Sequence, residues 1–247
     1  MTDTWLVLGA SSAIARAFAR EAVAAGDGVV LAGRDRADLD LTAADLAIRA
    51  RRPVEVVDFD ALALEGHAET IARAKALAGD GTLALFVAYG FMPSQEEINA
   101  DPALARRVVD VNYTSVANLL QVAAPVFEAQ KQGRIVVLGS VAGDRGRMKN
   151  YVYGSAKAGV HAFLSGFRGR MFKSGVTVTT VKPGVIDTAM TWGLPGVRGG
   201  APPELVARET LRAAKRGREV LYTPWPWRII MAVVRAIPER IFKRLEF

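Results

Sequence analysis

Apolar positions along this chain follow two alternating patterns. Short, continuous runs rich in β-branched residues occupy positions 5–8, 29–32, 54–57, 83–88, 135–138 and 176–181. Between them, apolar residues recur every three to four positions, as Ile14, Phe18 and Val23 do after the first run. A short apolar run bounded by turn residues predicts a buried strand, and the three-to-four spacing predicts an amphipathic helix. Helices are expected from about residue 13, up to Arg52 before Pro53, over 62–78, after Pro93, from about 104 to 129 and from 150 to 173. Asn112 falls in the middle of the fifth of these, where an amide is a poor helix former.

Strand and helix alternate throughout, and the strands are too uniformly apolar for one face to meet water. That predicts an α/β fold with a parallel sheet covered on both faces. No linker or repeat interrupts it, so residues 1–247 are expected to form one domain. In such sheets ligands bind beyond the carboxyl ends of the strands. Gly9, Arg34, Asp58, Gly90, Ser140 and Pro183 each follow a strand end, so they are expected to converge on one edge.

Composition narrows the chemistry. The chain has no cysteine, which excludes disulfides and thiolate metal sites. Its two histidines, His67 and His161, are far apart, and no metal is expected. The N-terminus lacks a basic leader pattern and no apolar run reaches 18 residues, so a cytoplasmic location is expected. The net charge is +7, and residues 198–247 carry eleven Lys/Arg against five Asp/Glu, a balance of +6. The basic residues are not interleaved with aromatics along a groove, so nucleic acid is not the expected partner.

The candidate chemistry lies between Ser140 and Lys157. Tyr153 and Lys157 are four apart and share a helix face. An ammonium beside a phenol favours the phenolate and lowers the tyrosine's pKa, giving an acid/base usable near neutrality. Ser140, at a strand end, supplies a hydroxyl for a carbonyl oxygen. Near the start, Gly9-Ala10-Ser11-Ser12 leads from a strand into a helix N-terminus, a phosphate-binding arrangement. Ala13 and Ala15 stand where a dinucleotide turn has glycine. After the second strand, Arg34 suits a 2′-phosphate, while the neighbouring Asp35 would suit a free 2′-hydroxyl.

With these residues in hand, residues 4–188 resemble the short-chain dehydrogenase/reductase family. Asn112, Ser140, Tyr153 and Lys157 fit its catalytic tetrad in order and spacing. Pro183-Gly184-Val185-Ile186-Asp187-Thr188 fits its PGxxxT segment, and Asp58-Phe59 fits the pair at adenine. Val87-Ala88-Tyr89-Gly90 departs from the usual Asn-Asn-Ala-Gly. The resemblance implies a Rossmann-type doubly wound sheet and hydride transfer between nicotinamide and a carbonyl or carbinol. Tyr153 would be the acid/base and Lys157 its tuner, Ser140 would orient the substrate oxygen, and Asn112 would hold a water in a relay to Lys157. It further implies cofactor contacts from Gly9, Ser11, Ser12, Ala13, Ile14, Arg34, Asp58, Phe59, Ala88, Gly90, Tyr153, Lys157, Pro183, Gly184, Ile186 and Thr188. Arg34 sets NADP(H) ahead of NAD(H). A homodimer or homotetramer and a substrate lid over 189–203 are also implied.

The acidic pair in VVDFDALAL, the segment GSVAGDRGRMKNYVYGSAKAG and the tail VVRAIPERIFKRLEF resemble a narrower group, the polyprenylphosphoryl keto-pentose reductases. That implies a keto-sugar, perhaps lipid-linked, as substrate. A soluble carbonyl reductase and a nucleotide-binding sensor without turnover are the competing readings. The tail over 224–247 combines Trp225 and Trp227 with an apolar stretch and basic residues, as a peripheral membrane segment at the inner face would need. Packing on the domain or on a second subunit is the alternative.

Overall fold

The computed structural model describes residues 2–192 and 199–245. Seven parallel strands form one sheet in the order β3-β2-β1-β4-β5-β6-β7. They are β1 (Asp3–Leu8), β2 (Gly28–Gly33), β3 (Glu55–Asp58), β4 (Thr82–Val87), β5 (Gly133–Leu138), β6 (Val176–Pro183) and β7 (Val220–Thr223). The order reverses between β1 and β4, which opens a crevice at the carboxyl ends of those strands.

Period-two alternation splits each strand between two cores. In β1, Trp5 and Val7 face one side and Leu6 and Leu8 the other, all four fully buried. The first core is covered by α1 (Ala13–Ala24), α2 (Arg36–Ala50) and α8 (Pro203–Lys215). There Phe18 meets Trp5 edge-on at 4.9 Å and stacks on Phe86 at 4.0 Å between ring centroids. The second is covered by α3 (His67–Ala78), α6 (Ser115–Gln130) and α7 (Tyr151–Phe172), through Ile71, Leu119, Phe127 and Leu164. The expected α/β architecture, a parallel sheet with helices around it, is the one found.

Two features depart from the sequence reading. Residues 203–224 carry α8 and the seventh strand, where no element was expected. β7 has four residues and pairs on one edge only, too short for a pattern to register. The helix expected from 104 to 129 is α5 (Pro102–Val109) and α6 joined by a π-helical turn, Asp110–Thr114. The tail forms α9 (Pro226–Ala236) and α10 (Glu239–Phe242), in which Met231 and Phe242 are buried. Between α4 (Gln95–Ala100) and the preceding strand lies the loop that reaches the candidate site. Within the expected lid over 189–203, residues 193–198 lie outside the described residues. The chain on either side is zipped by a parallel bridge between Ile186 and Ala201.

Candidate active site

β5 ends at Leu138, and Ser140 follows in extended backbone, capping the 3-10 turn Val141–Asp144 with its hydroxyl on the Ala142 amide at 3.1 Å. α7 then carries Tyr153 and Lys157 back past that strand end on its buried face. Both are almost fully enclosed. Tyr151, two residues earlier, is exposed and donates to Asn99, as its place on another side of the helix requires.

Enclosure changes the electrostatics from what spacing alone suggests. Burial pushes the Tyr153 phenol up to about 12, and the nearby Ser140 hydroxyl pulls the other way only in part. Lys157 is drawn down to about 8 by the same loss of water. Its ammonium donates to the Leu138 carbonyl at 2.9 Å and lies 5.7 Å from the Tyr153 ring centroid. The expected lowering of the tyrosine is therefore absent here, because desolvation outweighs an ammonium turned toward a backbone carbonyl. At neutral pH the pair holds a protonated phenol.

Asn112 explains the π-helical turn. Its amide is fully buried and wholly engaged, donating to Phe91 O at 2.6 Å and Val108 O at 2.9 Å and accepting from Phe91 N at 3.2 Å. The side chain clamps the loop after β4, and π turns often mark functional positions. That loop passes close by. A Cβ added at Gly90 would lie 2.9 Å from Asn112 Oδ1 and 3.8 Å from Lys157 Nζ. Asn112, Gly90, Ser140, Tyr153 and Lys157 thus share one corner of the sheet edge.

The cofactor end of the crevice also assembles. Gly9 adopts φ +76°, open to glycine, and a Cβ there would strike the Tyr89 backbone at 2.8 Å. Ser12 caps α1 through the Ala15 amide, while the amides of Ser11, Ala13 and Ile14 have no partner among the described residues. Free donors at a helix N-terminus beside a tight glycine turn fit a dinucleotide pyrophosphate, and Ala13 and Ala15 do not close that turn. Arg34 is exposed after β2, and Asp58 sits in register with Gly33 on the next strand. Asp35 is occupied as the α2 cap, accepting from the Asp38 amide at 3.1 Å. Asp58 and Phe59 border a cavity of about 330 Å³, and the buried Phe59 ring stacks on His67. The departure at Val87–Gly90 is compensated locally: Ala88 N donates to Leu8 O at 2.9 Å, and Tyr89 Oη bonds Ser115 Oγ at 2.9 Å.

At the end of β6, Pro183 is buried and the Gly184 amide donates to Thr223 O at 3.0 Å. Ile186 is buried, and the Thr188 hydroxyl lies 3.4 Å from that of Thr191. A Cβ at Gly184 would fall 1.8 Å from the Trp227 indole nitrogen, so the tail's aromatic lies directly on this glycine.

Two groups escaped the sequence reading. Asp144 accepts from Lys182 at 2.5 Å and Tyr222 at 2.6 Å and lies 3.5 Å from His161 Nδ1, locking the turn after Ser140 to α7, β6 and β7. Arg145 reaches the end of α9, donating to Val234 O at 2.7 Å and pairing with Glu239 at 2.9 Å, with the Phe242 ring 3.7 Å from its guanidinium carbon. Apart from His161 on α7, their partners lie 38 to 94 residues away, so no local signal marks them.

Comparison with known proteins points to one family. Residues 3–196 match the family model described as short chain dehydrogenase. An uncharacterized oxidoreductase of Mycobacterium tuberculosis is 34% identical over 97% of this chain and 96% of its own length. Another, from Streptomyces coelicolor, is 36% identical over 97% and 94%. Among solved structures, a short-chain dehydrogenase of Sphingobium yanoikuyae in complex with NADPH superposes with TM-score 0.80 at 25% identity, covering 97% of each chain.

Proposed function

The chain belongs to the short-chain dehydrogenase/reductase family, and from that premise we propose that it reduces the ketone of a sugar, lipid-linked in its natural form. The carrying observation is the placement of the Tyr153 phenol, the Ser140 hydroxyl and the Lys157 ammonium together where α7 passes the end of β5. In a reduction Tyr153 would donate its proton to the oxygen that gains negative charge, and in the reverse reaction it would take that proton back. Ser140 orients that oxygen, and Lys157 supplies positive charge behind it. Asn112 fixes the loop that carries Gly90 against both. A nicotinamide cofactor supplies the hydride when bound. The sugar, the lipid and the single catalytic domain over 1–247, with a lid over 189–203 and homodimeric or homotetrameric assembly, are parts of this reading. A turnover screen tests it: keto-sugars should be reduced faster than simple ketones, and activity confined to simple ketones would overturn the sugar.

NADP(H) is the proposed cofactor, as in the complex of the Sphingobium neighbour. With Asp35 spent on its helix, Arg34 is the free charge at the end of β2. Arg34→Ala should raise KM for NADPH on the order of tenfold while leaving KM for NADH nearly unchanged, as loss of a charge-assisted bond predicts. Equal effects on both cofactors would make Arg34 a surface charge only.

The lipid reading draws on the tail. No helix among the described residues is long and apolar enough to cross a membrane. Trp227, Met231 and Phe242 pack inward, but Trp225, Ile229, Ile230 and Val233 are exposed, flanked by Arg228, Arg240, Lys243 and Arg244. An apolar face edged by cations fits an anionic lipid surface, attached reversibly and weakened by salt. Ile229→Glu with Val233→Glu should abolish co-sedimentation with phosphatidylglycerol vesicles at low salt without changing Tm. Vesicle binding unaltered by that pair would remove the membrane from the proposal. Truncation at Pro224 is a poorer test, since it strips Arg145 of its partners.

A further inference from the structure

Between Ser140 and Tyr153 the chain carries three cations, Arg145, Arg147 and Lys149, and one carboxylate, Asp144. Asp144 is taken by Lys182 and Tyr222, and Arg145 by the tail. Arg147 differs. It is partly buried, its Nε is closed from solvent, and no acceptor among the described residues meets that atom. Burial draws its guanidinium below the usual arginine range, with no carboxylate opposing the effect. Three residues on, Asn150 Oδ1 is likewise enclosed without a partner, and the side chain does not cap α7.

This is unusual within the chain itself. The other partly buried arginines among the described residues are Arg16, Arg134, Arg145 and Arg168. Arg16 pairs with Asp38, Arg134 with Asp3 and Arg145 with Glu239, while Arg168 donates to the Val178 and Glu219 carbonyls. A half-buried guanidinium with no counter-charge is costly, and an orphaned polar atom calls for an explanation. Folding supplies none here. A ligand anion entering beside Tyr153 would.

We propose that Arg147 binds an oxyanion carried by the substrate, a phosphate ester or a carboxylate, while the Asn150 carboxamide bonds a neighbouring hydroxyl. The guanidinium fork matches either anion in a bidentate manner, and a polyol beside it satisfies the carboxamide. The cofactor's own phosphates are accounted for elsewhere, at the turn after β1 and at Arg34 after β2. Arg147 and Asn150 follow β5 and lead directly into the helix turn that carries Tyr153. The pair would thus select anionic carbonyl compounds over neutral ones. This rests on the reading of Tyr153 and Lys157 as a reducing centre.

Calorimetric titration of the full chain with methyl phosphate and, separately, with acetate tests it, in the free protein and in protein saturated with NADP⁺. Saturation fills the cofactor's phosphate positions. The wild type should bind one of the two anions in both states, and which one distinguishes phosphate from carboxylate. Arg147→Met should weaken that binding at least tenfold at unchanged NADP⁺ affinity, and Arg147→Lys should restore part of it. Arg147→Gln serves if the methionine variant does not fold. Anion binding equal in wild type and the Arg147 variants, or absent from the NADP⁺-loaded wild type, overturns the proposal. Failure to bind NADP⁺ at all would instead remove the reductase reading, while the free-protein titrations still decide the role of Arg147.

Discussion

Tyr153→Phe is expected to lower kcat by a factor on the order of 10² or more, the scale of a lost general acid, with cofactor affinity unchanged. The substitution removes one oxygen and leaves the ring that packs in a cluster with Ala142, Ala156, Ile98 and Val108. The fold should therefore be indifferent to it, and Tm should not fall. The proton is what disappears. With the phenol near 12 through burial, Tyr153 is protonated across the whole neutral range. Lys157, near 8, holds its own proton only below that value and is turned toward the Leu138 carbonyl. Steady-state rates with a reducible keto-sugar, beside direct measurement of NADPH binding, decide the matter. Near-wild-type turnover by the phenylalanine variant would sink the assignment.

Asp144→Ala should cost roughly 3–5 kcal/mol, the range for breaking a buried ion pair from one side, and so lower Tm by roughly 6–20 °C for a chain of this size. Burial by itself would raise this carboxyl. Hydrogen bonds from His161, Lys182 and Tyr222 outweigh it and hold the group well below the ordinary carboxylate range. Removing the carboxylate leaves the Lys182 ammonium, whose side chain is only 13% exposed, without its counter-charge. It also frees the turn after Ser140 from β6 and β7. A depressed carboxyl contributes stability that is complete above its unfolded value of 3.8 and lost as pH falls through the folded value. The gap between wild type and variant should thus be full at pH 7 and close in strong acid. Thermal unfolding of both proteins across pH reads this directly, and equal Tm values at pH 7 would show the cluster to be energetically neutral.

Periodicity carried much of this protein. Six of seven strands, both sheet faces and the strand-end convergence of Gly9, Arg34, Asp58, Gly90, Ser140 and Pro183 follow from apolar runs and turn residues, because local backbone preference and burial agree there. The pairing of Tyr153 with Lys157 and the opposite placement of Tyr151 are consequences of 3.6 residues per turn. Asn112 stood out as a poor helix residue, and the π turn is where that misfit is resolved.

Other features belong to tertiary structure alone. The protonation states of Tyr153 and Lys157 depend on how completely the domain encloses them, and desolvation is a property of surroundings, which spacing does not encode. Asp144 meets Lys182 and Tyr222 across 38 and 78 positions, and Arg145 meets Glu239 across 94. Trp227 lies against Gly184, and Arg147 is left without a counter-charge, for the same reason. Sequence set which elements form, since that is decided within a few residues. Only folding chose which distant charges are paired and which one waits for a ligand.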